Sequence, residues 1–269
     1  MTPPTPAMRL GVLGWPVAHS RSPAMHNAAL VAIGRPEWRY QLLPLPPSRL
    51  AETIPALPAA GFAGVNVTIP HKGGALAAAT APSERARAIG AANTLVFGPG
   101  EAIRADNTDA PALIAALPVA PRGSDALVLG AGGSARAAVW ALLDAGADRV
   151  FVWNRTAARA RSLCDELGAT FIASPRPADL LVNCTSIGLD GGDLLKELTW
   201  EADHVENYKC VVDFVYSQTE TQLVQTARAR SVPVVDGLEL LVRQGALSFE
   251  QFTGVEAPVD VMRAAARAT

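Results

Sequence analysis

Cysteine and histidine are scarce in this chain, with three cysteines and four histidines among 269 residues. Cys164, Cys184 and Cys210 are odd in number, and none stands in a C-x-x-C pair. A disulfide-stapled fold is thereby excluded, and reduced thiols in the cytoplasm are the expectation. His19, His26, His71 and His204 lack metal-ligand spacing, so no metal is expected. Charge is sparse as well: 18% of residues are charged and the net charge is -2. That leaves no basic face for nucleic acid and none for an anionic membrane. No apolar run is long enough to span a bilayer. The stretch from Met1 to Met8 is rich in Pro and Thr, without a basic or an apolar leader region, and reads as a short frayed arm. Repeats of solenoid length are absent, as is low complexity beyond some Ala-rich helices.

What is present is apolar material, 49% of the chain, enough for the cores of two ordinary domains. Short apolar runs alternate with helical patterns almost throughout, the signature of an α/β fold with mostly parallel strands. Arg9–Leu13, Trp38–Leu43 and Gly64–Thr68 read as strands, and Thr94–Phe97 with Ala102–Ala105 as a hairpin across Gly98–Gly100. Ser22 and Pro23 read as an N-cap and first-turn proline opening a helix to about Ile33. Ser48 to Ala59 is helical in pattern, shortened or kinked by Pro55. A Pro- and Gly-containing stretch, Pro118–Ser124, leads into a second block. There Asp125–Leu129, Arg149–Trp153, Leu180–Asn183, Cys210–Val215 and Val232–Val235 are strand candidates, and a helix follows each of the first two. Gly237 to Phe252 and Pro258 to Ala266 read as helices.

Gly130-Ala131-Gly132-Gly133-Ser134-Ala135 joins the Asp125–Leu129 strand to the following helix. This is the context in which a glycine loop binds a dinucleotide. Gly130 allows the tight turn, Gly132 lets backbone approach a pyrophosphate at the positive end of the helix, and Ala135 is small where helix packs on strand. The next strand ends Asn154-Arg155-Thr156, with Arg159 one turn on, and no Asp or Glu stands where an NAD site usually places one. A guanidinium matches phosphate with a planar fork, so the pattern points to the 2′-phosphate of NADP on a Rossmann-type domain.

Other motifs resemble one family. Gly14-Trp15-Pro16-Val17-Ala18-His19-Ser20-Arg21-Ser22-Pro23 with His26-Asn27 resembles the opening signature of the shikimate dehydrogenases. Asn66-Val67-Thr68-Ile69-Pro70-His71-Lys72 resembles their catalytic-lysine motif. Gly90–Thr94, Asp106–Asp109, and Gly237 with Gln244 resemble further blocks, in the family's order and at close to its spacing. Asn183-Cys184-Thr185-Ser186-Ile187-Gly188-Leu189 is similar to the loop beside the nicotinamide, with Leu189 in place of the usual methionine. Asp213-Phe214-Val215-Tyr216 resembles a D-x-x-Y block followed by Thr221, with Gln218 where a proline is usual.

The resemblance implies reversible reduction of 3-dehydroshikimate to shikimate with NADPH, in aromatic amino acid biosynthesis. It implies that Lys72 and Asp109 work as a pair at the hydroxyl that becomes a ketone, and that Ser20 and Ser22 hold the substrate carboxylate. Thr68, Asn93 and Gln244 are uncharged and suit ring hydroxyls, and Tyr216 completes the substrate set. Thr185, Phe214 and Gly237 fall on the cofactor side, and Glu84 aligns by spacing with a position near the cofactor. The expected fold is α/β with two domains: a substrate domain over 1–108 that 238–269 rejoins, and an NADP-binding Rossmann-type domain over 109–237. The partner is a small molecule, with neither nucleic acid nor membrane involved, and the enzyme is expected to be cytoplasmic and a monomer or homodimer. Two other readings stay open: a quinate/shikimate or aminoshikimate dehydrogenase, and a non-catalytic NADP-binding regulator of the same fold.

Overall fold

The structure is a computed structural model that describes residues 8–201, 203–217 and 219–268. The arm before residue 8 and the departure at Gln218 lie outside the described residues. The chain divides into two compact units, Met1–Thr108 with Leu241–Thr269, and Asp109–Leu240.

The first unit holds β1 (Arg9–Gly14), α1 (Ser22–Ala32), β2 (Arg39–Pro44), α2 (Leu50–Ala56), β3 (Phe62–Val67), α3 (Lys72–Ala78), β4 (Ala81–Pro82), α4 (Glu84–Ile89), β5 (Thr94–Phe97) and β6 (Ile103–Asp106). Its six strands run in the order β2-β1-β3-β5-β6-β4. β1, β2 and β3 are mutually parallel, while β5 is antiparallel to both β3 and β6, so the sheet is mixed. One core packs Leu13, Ile54, Phe62, Val65, Val67, Leu95 and Ile103.

The second unit holds α5 (Asp109–Ala116), β7 (Asp125–Leu129), α6 (Gly133–Asp144), β8 (Arg149–Trp153), α7 (Ala157–Leu167), β9 (Thr170–Phe171), β10 (Leu180–Asn183), α8 (Leu194–Glu197), α9 (Asp203–Glu206), β11 (Cys210–Asp213), α10 (Gln222–Ala229) and β12 (Val234–Val235). The unit boundary falls within α11 (Gly237–Thr253), and α12 (Val259–Arg267) belongs to the first unit. All strands of the second sheet are parallel, in the order β12-β11-β10-β7-β8-β9. Numbered within the unit this is the 3-2-1-4-5-6 order of doubly wound dinucleotide-binding sheets, read from the β9 edge. The central strands are apolar on both faces. Val128, Val152, Val182 and Val212 enter one core, while Leu127, Phe151, Leu181 and Val211 enter the other. Helices must therefore cover both sides, because a parallel strand offers no solvent face.

Three local readings are corrected. Ser22 is not the N-cap of α1: Arg21 holds that position, without a side-chain cap, and Ser22 is the first helical residue. Proline's fixed φ suits either of the first two helical positions, so Pro23 marks the start only to within a residue. Pro118–Ser124 does not open the second unit but links α5 to β7 inside it. The helix from Ser48 is a 3₁₀ turn, Pro47–Arg49, followed by α2, which ends one residue after Pro55. No helix is long and apolar enough to cross a membrane among the described residues.

Candidate functional site

In the first unit the loops after β1 and β3 are stitched side by side. Thr68 N donates to Leu13 O at 2.8 Å, and Trp15 N donates to Ile69 O at 2.9 Å. The first loop carries half-buried Ser20 and buried Ser22, whose N–H points to Ser20 Oγ at 3.3 Å. The second carries half-buried Thr68 and leads to Lys72, the first residue of α3. Lys72 is only 8% exposed, which departs from the solvated surface lysine that is the rule for this residue type. Its backbone is held from both sides. The preceding His71 is buried with Nε2 2.7 Å from Leu45 O, and Ala92 N donates to Lys72 O at 2.9 Å.

Ala92 leads directly into a buried array of amides and hydroxyls. Asn93 Oδ1 accepts from Thr108 N at 2.8 Å, and Asn93 Nδ2 lies 2.9 Å from Thr108 Oγ1 and 3.3 Å from Gln244 Oε1. Gln244 Nε2 donates to Leu241 O at 2.8 Å, so the Gln244 side chain is held at both ends. Behind Asn93, Asn66 Nδ2 donates to Asn93 O at 3.2 Å, and Asn66 Oδ1 accepts from Tyr40 OH at 2.8 Å and Ser248 OH at 3.3 Å. Leaving one such group unpaired would cost about 1–3 kcal/mol, so the array is rigid. The sequence motifs contain Asn66 but assign it no task, and Tyr40 and Ser248 carry no sequence signal that joins them to it. Glu84, by contrast, is an exposed first-turn acid of α4 after the Ser83 cap and makes no side-chain hydrogen bond among the described residues.

In the second unit the strand order reverses between β7 and β10, and the glycine loop lies there. Gly130 has φ +111°, and a Cβ on it would stand 2.9 Å from the carbonyl carbon and oxygen of Cys184. Only glycine fits that approach. Gly132 is the N-cap of α6, and a Cβ built there meets nothing within 4 Å. Ala131, Gly133 and Ser134 are half-buried, Ala135 is fully buried, and the first turn of α6 carries no acid. The start of this helix, with no side-chain cap and no acid in its first turn, thus suits an anion. At the end of β8, Asn154 Nδ2 donates to Thr156 O at 3.0 Å and shapes the turn. Arg155, Thr156 and Arg159 are exposed, and neither guanidinium forms an ion pair among the described residues. A helix start of this kind and two arginines after the neighbouring strand fit a dinucleotide with an added phosphate.

β10 and β11 end side by side at Asn183 and Asp213. Thr185 N and Oγ1 both donate to Asn183 Oδ1, at 3.0 and 2.8 Å. Phe214 and Tyr216 are half-buried after β11, and Phe214 N donates to Asn183 O at 2.9 Å. A Cβ on Gly237 would stand 2.4 Å from Val215 O, so a close backbone crossing requires glycine there. Asp213 is fully excluded from solvent, and burial pushes its carboxyl up to about 6 against the pull of its hydrogen bonds to Thr221, Val215 and Asn183. The motif reading passes over this acid; an apolar strand run ending in Asp was the available signal. Asp109 is the first residue of α5, directly after Thr108, and is only 6% exposed.

Family models match most of the chain. The shikimate dehydrogenase substrate binding domain matches residues 12–95, shikimate / quinate 5-dehydrogenase matches 117–182, and the shikimate 5′-dehydrogenase C-terminal domain matches 237–267. A curated relative from Nitrobacter hamburgensis, an NADP(+) shikimate dehydrogenase, is 44% identical over 94% of this chain and 91% of its own. Among solved structures, the Thermus thermophilus shikimate 5-dehydrogenase in complex with NADP(H) and shikimate is 39% identical. It covers 97% of this chain and 99% of its own, with a TM-score of 0.83. The Aquifex aeolicus shikimate dehydrogenase is 31% identical, covers 97% and 98%, and has a TM-score of 0.88.

Proposed function

The chain belongs to the shikimate dehydrogenase family, and we propose that it reduces 3-dehydroshikimate reversibly to shikimate with NADPH, Lys72 and Asp109 serving as the acid–base pair at the C3 oxygen. The first unit takes the substrate and the second the cofactor. The observation that carries this reading is the array of Asn93, Thr108 and Gln244 in the same unit as buried Lys72. A polyhydroxylated ring is recognised by fixed amides and hydroxyls of this kind, Asn93, Thr68 and Gln244 taking its hydroxyls. Ser20 and Ser22 hold the carboxylate, and Tyr216 contributes from the cofactor side.

The residues divide the work as follows. NADPH held by the second unit would supply the hydride for the C3 carbonyl carbon. Negative charge then grows on the oxygen, where the Lys72 ammonium stabilises it and the Lys72–Asp109 pair gives up the proton that completes the alcohol. Asp109 orients Lys72 and accepts a hydrogen bond from the substrate hydroxyl. On the cofactor side, the amides of Ala131 to Ser134 at the start of α6 suit the pyrophosphate, with Gly130 shaping the turn. Asn154, Arg155, Thr156 and Arg159 suit the adenosine 2′-phosphate. Thr185, Phe214 and Gly237 lie on the nicotinamide side, and Glu84 remains an assignment from spacing alone. The three free thiols accord with a reducing cytoplasm, and the enzyme acts as a monomer or homodimer.

Purified protein incubated with shikimate and NADP tests the reading. Steady appearance of NADPH that Lys72→Ala slows by about a hundredfold or more is the expected result. No turnover of shikimate, quinate or aminoshikimate would leave an NADP-binding regulator instead.

A further inference from the structure

Asp213 is a buried carboxylate for which the reaction described above has no use. Its Oδ1 accepts from Asn183 Nδ2 at 2.8 Å and from Val215 N at 3.0 Å, and its Oδ2 accepts from Thr221 Oγ1 at 2.6 Å. The direction of each bond is set by what lies behind the donor. Asn183 Oδ1 already accepts twice from Thr185, so its NH2 must face Asp213. Thr221 Oγ1 accepts from Val224 N at 3.3 Å as the cap of α10, which leaves its hydrogen for Asp213. Val215 N can only donate. All three partners therefore require a carboxylate that accepts. A carboxylate buried without a cation is expensive, and an apolar residue would hold a simple strand end more cheaply.

Its position says what such a charge would serve. Asn183 and Asp213 are paired at the carboxyl ends of neighbouring strands, the edge at which open α/β sheets bind ligands. On the reading above, the adenosine end lies over β8, so an extended dinucleotide crossing the β7/β10 reversal brings its other end over β10 and β11. One carboxylate joins both loops there. Through Asn183 it reaches the turn in which Thr185 Oγ1 accepts from Ile187 N at 3.2 Å. Through its own hydrogen bond it fixes Val215, whose carbonyl is backed by Gly237.

Resting on that reading, we propose that Asp213 is a positioning residue for the nicotinamide end of the cofactor, a latch that holds the Thr185–Ile187 turn and the Val215–Tyr216 segment in mutual register. Asp213→Asn places a donor where only donors point. Its affinity for NADP should fall about tenfold, as for one hydrogen bond left unmade, while that for 2′,5′-ADP, which lacks the nicotinamide, should change less than about twofold. Turnover with shikimate should fall about tenfold or more, because a small displacement of a reacting group is costly. Thr221→Val removes one donor at nearly constant shape and should show the same split; Thr221→Ser, which keeps the hydroxyl, should recover it. This pair carries the test if Asp213→Asn does not fold. Equal losses for NADP and 2′,5′-ADP, a loss confined to 2′,5′-ADP, or no loss at all would overturn the proposal. Absence of turnover in the unaltered enzyme would refute the reading of function instead, and the two affinities would still decide the latch.

Discussion

The two units are built on sheets of equal size and use them oppositely. In the first, polar side chains go inside: Asn66, Asn93, Thr94, Asn107, Thr108 and Ser248 are all buried. In the second, the central strands are apolar along their length, and the polar groups stand at their carboxyl ends. On the proposed division of substrate and cofactor between the units, the contrast follows from what each would recognise. A small ring with several hydroxyls needs side-chain donors and acceptors at fixed angles, which a mixed sheet with long-range cross-links such as Tyr40 to Asn66 can hold. A dinucleotide is recognised largely by backbone amides at a helix start, so a plain apolar sheet suffices as a platform.

Ionisable groups sharpen the contrast. The first unit buries His26 against Tyr40, with ring centroids 4.1 Å apart, and neither ring nitrogen has a partner among the described residues. Burial pushes His26 down to about 3, whereas in the second unit it pushes Asp213 up to about 6. The two groups thus respond to acid in opposite senses.

The largest effect belongs to Lys72. Lys72→Ala should lower turnover by about a hundredfold or more, the scale of a lost acid–base group, with a smaller change in substrate affinity. Steady-state kinetics in both directions would check this; near-normal turnover would make Lys72 merely a buried structural lysine. Asn93→Leu comes next. It strands the Thr108 amide and should cost about 2–3 kcal/mol in urea unfolding together with shikimate affinity, while 2′,5′-ADP binding stays unchanged. A loss of both ligands would break the division between units.

Acid should then separate His26 from Asp213. The unfolded chain protonates a histidine near 6.5 but the folded state does not, so stability is lost as pH falls below that value. The loss is about 2 kcal/mol by pH 5. Asp213 takes up its proton in the folded state near 6, before the unfolded chain does, so its contribution rises by about 1 kcal/mol over the same range. Urea unfolding at pH 7 and pH 5 distinguishes them. His26→Phe should lose less stability than the unaltered protein on acidification, and Asp213→Asn should lose more. Identical pH responses in all three would contradict both assignments. The smallest effect is expected at the exposed Arg155, where Arg155→Ala should weaken NADP about tenfold and NAD hardly at all. Equal losses in titrations with the two cofactors would remove the basis for the phosphate assignment.

Much of this architecture was legible beforehand, because buried parallel strands announce themselves as apolar runs and Gly130 to Ala135 sits between one such run and a helix. The helix that starts at Lys72 was not, since Gly73 and Gly74 are poor helix formers and its backbone is held by tertiary bonds to neighbouring segments. Partners distant in sequence, such as Tyr40 with Asn66 or Asn66 with Ser248, leave no local pattern at all. The N-cap assigned to Ser22 failed by one residue, within the latitude that Pro23 allows. Asp213 stands in a motif without a role there, because neither its lack of a cationic partner among the described residues nor its three donors can be seen along the chain.

On the proposed function, a side-chain array in the first unit selects shikimate while the second unit selects NADP. The direct test is a steady-state matrix of shikimate and quinate, each oxidised with NADP and with NAD. Quinate carries an extra hydroxyl beside its carboxylate, and on the proposed assignment the carboxylate takes both Ser20 and Ser22, leaving that hydroxyl no spare partner. Burying that hydroxyl unpaired costs about 1–3 kcal/mol, or roughly ten- to a hundredfold in kcat/KM. Shikimate with NADP should be the best pair by at least that margin over quinate with NADP; quinate turning over as efficiently as shikimate would contradict the assignment of the array to shikimate.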